Sequence, residues 1–300
     1  MGAENSPIGG KVVLIAGPTA SGKTGLAIER AQRSGGVIVN SDSMQVYDVL
    51  RVLTARPDAA EMAAAPHHLF GFVPPSQRFS TGAWLAAVRE KLAGKLSDAP
   101  EIIFAGGTGL YFEALTQGLA EVPPVDPAIV RKVEATIAGL DADDRARLMA
   151  ARDPAMAERL EVPDTQRVVR ALSVLEATGR SLAAFLDAPQ TPIVDPASAE
   201  RIVLAPDRTR LRARIRQRFE AMMEGEAIEE VRALNALGLD QSLPAMKAIG
   251  VPEITAMLAG DRTREEVIEK ASIATGQYAK RQETWFRNRM ADWRRIDPLE

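Results

Sequence analysis

Gly17-Pro18-Thr19-Ala20-Ser21-Gly22-Lys23-Thr24 fits the phosphate-loop pattern G-x-x-x-x-G-K-[ST] at every specified position. Each residue type has a physical role there. Glycines let backbone N–H groups crowd around phosphate oxygens, and the start of the following helix adds positive potential. The Lys23 ammonium can neutralise phosphate charge, and the Thr24 hydroxyl can ligate Mg²⁺. The pattern points to a bound di- or triphosphate. A loop that hydrolyses nucleotides usually works beside an apolar strand ending in an Mg²⁺-binding Asp. Here the best-placed strand, Glu101 to Ala105 (EIIFA), runs into Gly106-Gly107 instead. Phosphate binding is therefore indicated, and nucleotide hydrolysis is not.

A second chemical group is Asp42, which follows the apolar run GVIVN and Ser41. A lone carboxylate at a strand end facing the loop can accept a proton from an incoming nucleophile. Ser41-Asp42-Ser43 is equally good chemistry for capping a helix. Thr108, in the turn Gly106-Gly107-Thr108-Gly109, also has two readings: a polar contact to a phosphate oxygen, or an ST-turn residue. His67 and His68 are adjacent and have no Cys, Asp or Glu at ligand spacing, so a loop is expected there rather than a metal site. The tryptophans and methionines read as core.

These groups need elements to hold them. Lys11 to Ala16, Gly36 to Asn40, Glu101 to Ala105 and Arg201 to Ala205 read as short buried strands, and Thr24 to Arg33 reads as a helix. Strands alternating with helices predict a parallel α/β sheet whose ligands sit at the carboxyl ends of its strands. The phosphate loop, Asp42 and Thr108 all follow such ends and should share one crevice. Between Pro123 and about Pro196 the patterns are helical, rich in Asp and Pro, with no convincing strand. That segment reads as an insertion at 119–200, within a core of 1–118 and 201–300. Helices are expected to fill the C-terminal third.

Asp164 to Thr178 is the best-marked helix of the insertion, with Pro163 before it, Asp164 as N-cap and Gly179 at its end. Val168, Leu172 and Leu175 form its apolar stripe, while Gln166, Arg170 and Ser173 form a polar one. Near the C-terminus Phe286, Met290 and Trp293 read as an apolar stripe, and Lys280, Arg287 and Arg294 as a basic one. Arg208 to Arg218 carries arginine at alternate positions. Such faces suit a phosphodiester backbone, although many charge runs are only solvated surface.

The whole chain has 300 residues, 46% hydrophobic and 26% charged, with no Cys and a net charge of −3. Disulfides and thiolate metal sites are excluded, and a reducing cytoplasm is the expected location. No apolar run reaches the roughly 18 residues of a membrane helix, and the N-terminus lacks signal-peptide features. The negative mean charge hides local bunching: Lys280 to Arg295 carries six cations against two anions. Phosphate attraction acts over roughly 8–10 Å, so the bunching is what counts.

In order and spacing, GPTASGKT, SDSMQVY (41–47), TARPDAAE (54–61), APHHL (65–69), AGGTGLYFEAL (105–115), QRVVRALSVLEATGRSL (166–182) and AKRQETWFR (279–287) resemble the tRNA dimethylallyltransferase family across nearly the whole chain. The phosphate loop is common to many enzymes. The S-D-S-x-Q-x-Y and K-R-Q-x-T-W-[FL]-R segments are far more specific. The resemblance implies a P-loop, nucleotide-kinase-like α/β core with a helical insertion that grips the tRNA anticodon stem-loop. It implies transfer of a dimethylallyl group from dimethylallyl pyrophosphate to N6 of the adenosine just 3′ of the anticodon, with Mg²⁺, by a cytoplasmic monomer.

Carried over by position, the resemblance places the pyrophosphate on Gly17, Pro18, Thr19, Ala20, Ser21, Gly22, Lys23 and Thr24, with the metal near Thr24 and Arg218 as a further contact. It makes Asp42 the general base on N6, with Thr108 steadying the leaving oxygen. It places tRNA against Asp42, Ser43, Met44, Gln45 and Thr108, and against Gln166, Arg167, Val168, Val169 and Arg170. Lys247, Lys280, Arg281, Gln282, Trp285 and Arg287 complete the expected RNA contacts. Two departures stand out. Lys247-Ala248-Ile249-Gly250-Val251-Pro252 replaces the usual R-x-x-G-Y-R, and Val130, beside Arg131, stands where Arg is frequent. The loop and Asp42 by themselves also suit a small-molecule kinase or an AMP-dependent isopentenyltransferase, and the loop without need of Asp42 suits a non-catalytic nucleotide-switched RNA-binding protein.

Overall fold

Short apolar runs build one parallel sheet, seen in a computed structural model that describes residues 10–94, 96–160 and 164–298. Its strands are β1 (Lys11–Ala16), β2 (Val37–Asn40), β3 (His67–His68), β4 (Glu101–Gly106), β5 (Glu200–Leu204) and β6 (Arg294–Ile296). Their order is β3-β2-β4-β1-β5-β6, and every neighbouring pair is parallel. Val13, Leu14, Ile15, Ile103 and Phe104 are fully buried, as a parallel sheet covered on both faces requires. Ala16 pairs with Gly106 and Asn40 with Ala105, so β1, β2 and β4 end level. The turns after these three strands meet at one edge, and the chain winds from β1 in both directions along the sheet, making this edge a topological switch point.

The helices of this unit are α1 (Lys23–Ser34), α2 (Ala59–Ala64), α3 (Thr81–Leu92) and α4 (Gly109–Gln117). A second compact unit, residues 117–191, is separate from the first, which comprises residues 1–116 and 192–300. The second unit holds α5 (Pro127–Ile137), α6 (Ala142–Arg152), α7 (Pro154–Ala157), α8 (Thr165–Thr178) and α9 (Leu182–Leu186), with no strand among its described residues. Its abundant Asp has a local cause: Asp126, Asp141, Asp153 and Asp164 each N-cap a helix by accepting a backbone N–H. Val133, Ile137, Met149, Met156, Val168, Leu172 and Phe185 form its own core. Its limits differ from the expected 119–200, because Ile193 and Val194 already bond the Leu115 carbonyl in the sheet-bearing unit.

The chain then continues through α10 (Arg208–Glu224), α11 (Ala227–Ala236), a 3₁₀ turn (Ala245–Lys247), α12 (Val251–Leu258) and α13 (Arg264–Arg289). In α10 Leu211, Ile215, Phe219 and Met223 repeat every four residues and are buried. Leu211 and Ile215 pack with Ala279 of α13 and with Ala20 of the phosphate loop. Two helices from the far end of the sequence therefore support the turn after β1.

Three expectations need correction. His67–His68 is an edge strand rather than a loop, and Arg294–Ile296 is a strand in a region expected to be helical. Strands of two and three residues are too short for an alternating pattern to be read. The C-terminal stripes assumed one continuous helix, but α13 ends at Arg289. Phe286, Met290 and Trp293 are nonetheless all buried, while Arg294 lies on β6 and pairs with Glu200 at 3.3 Å. The remaining strands and α1 start and end within one residue of the expected positions.

Candidate active site

The phosphate loop occupies the turn from β1 into α1. Gly22 is the N-cap of α1 with φ 94°, a left-handed conformation that glycine adopts without strain. Ala20 is also left-handed at φ 64°. The Lys23 ammonium folds back and donates to the Pro18 carbonyl at 2.7 Å. Desolvation by the enclosing loop lowers its pKa to about 8, with Asp42 opposing that shift and Arg218 adding to it. Arg218, from α10, donates to Thr19 Oγ1 at 2.9 Å. Two cations from distant parts of the chain thus meet at the loop.

Asp42 follows the end of β2 and does not cap a helix, because residues 43–50 form no helix but bends, a turn and a bridge from Tyr47 to Val73. Its Oδ1 accepts the Met44 N–H at 2.9 Å. No hydrogen bond reaches Oδ2 among the described residues, and a Cβ built at Gly107 would lie 3.0 Å from it. The same Cβ would collide with Gln282 Nε2, so only glycine lets β4, Asp42 and α13 approach here. The Asp42 backbone is held by Asn40, whose Oδ1 accepts the Asp42 N–H at 2.8 Å and whose Nδ2 donates to the Asp42 carbonyl at 3.0 Å. Two phenols, buried Tyr111 and half-buried Tyr278, sense the Asp42 charge: burial first, and Asp42 second, push their pKa values up.

Thr108 joins two of the turns at this edge. Its hydroxyl accepts the Ser43 N–H at 2.9 Å and lies 3.2 Å from Ser43 Oγ, tying the turn after β4 to the turn after β2. Gln282 plays a comparable part. Its Oε1 accepts the Thr19 N–H at 2.9 Å and its Nε2 donates to the Gly107 carbonyl at 2.8 Å.

Around these groups lies a cavity of about 720 Å³, lined by the phosphate loop, Asp42, Arg56, Arg214, Gln217 and Arg218. A second cavity, of about 300 Å³, has walls of Met44, Leu53, Phe219, Met222, Ile249 and Tyr278, with Lys247 and Arg281 also lining it. Thr19, Asp42, Thr54, Arg218 and Met222 line both cavities. The carboxylate thus stands where a polar, cationic chamber meets a mainly apolar one. Among the described residues no three His, Asp or Glu side chains cluster as a metal site. Mg²⁺ is commonly held by few protein oxygens together with phosphate oxygens and water. Thr24, lining the larger cavity, fits that mode of binding.

Several expected RNA contacts are placed otherwise by the structure. Val168 is fully buried in the core of the helical unit, where no nucleic acid reaches it, and Ser173 of the expected polar stripe is buried too. Gln166, Arg167 and Arg170 are exposed on α8, and Val169 is half-buried. Gln282 is 5% exposed with its amide already used inside the protein. Gln45 spends its amide on the Thr54 and Ala55 carbonyls, both at 2.9 Å, shaping the cavity wall. Ser43 and Met44 flank Asp42 and are half-buried. Lys247, Lys280, Arg281 and Arg287 are exposed, while Trp285 is half-buried with its indole against Gly109.

The sequence reading missed Asn40, Arg214, Gln217, Phe219 and Tyr278 as parts of the site. Asn40 alone left a signal, being a polar residue that ends an apolar strand. The others lie on helices where nothing local distinguishes the face that turns toward the cavity.

Among known proteins, a family model described as IPP transferase matches residues 45–289, and one described as isopentenyl transferase matches residues 10–67. A tRNA dimethylallyltransferase of Rhizobium etli (strain CIAT 652) is 51% identical over 95% of this chain and 97% of its own length. One from Chelativorans sp. (strain BNC1) is 50% identical over 93% and 96% respectively. The crystal structure of the full-length tRNA isopentenylpyrophosphate transferase from Bacillus halodurans matches with a TM-score of 0.66 and 31% identity, covering 96% of this chain and 89% of that one. A eukaryotic dimethylallyltransferase captured acting on tRNA matches with a TM-score of 0.79 and 25% identity, over 96% and 74%.

Proposed function

The chain belongs to the IPP transferase family, and from that membership we propose that it transfers the dimethylallyl group of dimethylallyl pyrophosphate to N6 of the adenosine just 3′ of a tRNA anticodon. The observation that carries the assignment of parts is the position of Asp42 at the junction of the two cavities. In this reading the diphosphate lies on the phosphate loop, with Lys23 and Arg218 balancing its charge. The purine, turned out of its stack, enters the smaller cavity between Phe219 and Tyr278, past Lys247 and Arg281. Base-modifying enzymes generally require such extrusion, and apolar and aromatic walls suit a purine face.

The reaction breaks the carbon–oxygen bond of the allyl diphosphate and forms a carbon–nitrogen bond to N6. The allylic carbon becomes cation-like, so the protein must stabilise departing negative charge, which Lys23 and Arg218 supply. N6 is a poor nucleophile because its lone pair is delocalised into the ring. Asp42 takes the N6 proton through Oδ2 as the new bond forms. Mg²⁺, when bound beside Thr24, would add charge neutralisation at the diphosphate. Exposed Gln166, Arg167 and Arg170 would contact the RNA backbone, as would Lys280 and Arg287.

The test is to incubate the protein with Mg²⁺, labelled dimethylallyl pyrophosphate and either unmodified tRNA or AMP, then digest the products to nucleosides. We expect N6-dimethylallyladenosine from tRNA alone. Asp42→Ala should lose about 10²–10⁴-fold in rate while keeping its tRNA affinity. Label on AMP, or a fully active Asp42→Ala, would overturn the proposal.

A further inference from the structure

We infer that Asn40 is a positioning residue, whose buried side chain sets the direction in which the Asp42 carboxylate faces the two cavities. The inference rests on the reading of Asp42 as the base. Asn40 is the last residue of β2 and is fully buried. One side chain holds both backbone groups of Asp42, accepting its N–H at 2.8 Å and donating to its carbonyl at 3.0 Å. The second N–H of the amide goes to the Leu69 carbonyl at 3.0 Å, and Leu69 is itself left-handed at φ 62°.

The Asn40 backbone is anchored in turn. Its carbonyl accepts the Trp84 indole N–H at 2.9 Å, and Trp84 stacks on Tyr111 with ring centroids 4.1 Å apart. With the Asp42 backbone pinned and Oδ1 held by the Met44 N–H, rotation of the carboxylate is restricted, and Oδ2 is the oxygen left without a hydrogen bond among the described residues. Side-chain chemistry makes asparagine specific here. An aspartate could still accept the Asp42 N–H, but its second oxygen would face two carbonyls and repel both. A serine is too short to reach Leu69 and Asp42 together.

This assignment predicts a loss confined to the chemical step, because a reacting group misplaced by about 1 Å costs on the order of 10²-fold. The experiment is a double-mutant cycle with Asn40→Asp and Asp42→Ala, measuring single-turnover transfer to tRNA and the KM for dimethylallyl pyrophosphate. Asn40→Asp alone should lower the transfer rate about 10²-fold with KM unchanged. In the Asp42→Ala background the same substitution should cost nothing more, since its only effect runs through that carboxylate. Multiplying losses, or a change confined to KM, would reduce Asn40 to ordinary structural support. If Asn40→Asp does not fold, Asn40→Ser goes through the same cycle with the same two outcomes. An Asp42→Ala protein with full activity would overturn the base assignment and this inference together, and that single variant reveals it before the cycle is closed.

Discussion

Gln282 accepts the backbone N–H of Thr19 at 2.9 Å across 263 residues of chain, and its other amide atom donates to Gly107. The phosphate loop, the turn after β4 and α13 are therefore joined at one buried side chain. Truncating it leaves the Gly107 carbonyl and the Thr19 N–H without their partner, at about 1–3 kcal/mol for each buried group. Gln282→Ala should raise the KM for dimethylallyl pyrophosphate about tenfold, equivalent to about 1.4 kcal/mol, and should lower the melting temperature. The affinity for tRNA at fixed salt should stay as it was, because the amide lies inside the protein. A weakened tRNA affinity would instead restore Gln282 as an RNA contact.

Lys23 gives the loop a pH dependence whose sign follows from its lowered pKa of about 8. Below that pH the ammonium is charged and attracts the diphosphate. A bound diphosphate favours the charged form and so raises the pKa in the complex. Between the free and bound values, binding takes up a proton and affinity falls as pH rises. The KM for dimethylallyl pyrophosphate should be flat below about pH 7 and climb above pH 8, by up to tenfold per unit. The climb should vanish in Lys23→Ala, and its persistence there would assign it to another group.

How much of this was legible beforehand depends on whether the signal was local. The phosphate loop, the strand ends carrying Asp42 and Thr108, and the capped helix at 165–178 are each encoded in one short local stretch, and the structure has them. The long-range staples were not legible. Nothing around Gln282 indicates that it will meet Thr19, and nothing around Thr108 indicates Ser43. Val168 illustrates the converse error. The family resemblance placed the whole run Gln166 to Arg170 against RNA, although Val168 also belongs to the apolar stripe with Leu172 and Leu175; a helix turns about 100° per residue and sends Val168 into the core.

At the opposite ends of the strands, Arg30 bonds Glu101 at 2.9 and 3.0 Å and Glu200 at 2.6 Å, with Lys11 within 3.9 Å of both acids. Burial pushes the Glu101 pKa up, but the hydrogen bonds from Arg30 and Ser34 outweigh it and hold the group below its ordinary value. The Arg30 hydrogen bond likewise lowers Glu200. Such groups stabilise the fold above the ordinary carboxylate range, and that stability is lost as pH falls through the lowered values. Arg30→Ala leaves the buried Glu101 with only Ser34 and the more distant Lys11, and should cost about 2–4 kcal/mol at pH 7 by urea denaturation. The deficit should shrink below about pH 4, and the KM for dimethylallyl pyrophosphate should not change. An equal deficit at pH 3 would locate the effect in packing rather than charge.

Arg170 tests the proposed role of the helical unit. It is exposed on α8, on the same surface as Gln166, while Val168 of the same helix is buried. If Arg170 neutralises one tRNA phosphate, its removal releases one contact's worth of counterions. The plot of log affinity against log salt should flatten by about 0.7–0.9 in Arg170→Ala. Binding should weaken similarly for every tRNA that is bound, because phosphate contacts carry no sequence information. Val168→Ala is the matched control. It opens a cavity in the core of the unit and should lower its stability without moving the salt slope. Fluorescence titrations of unmodified tRNA at several salt concentrations decide the matter: equal slopes for wild type and Arg170→Ala would remove Arg170 from the RNA-binding surface.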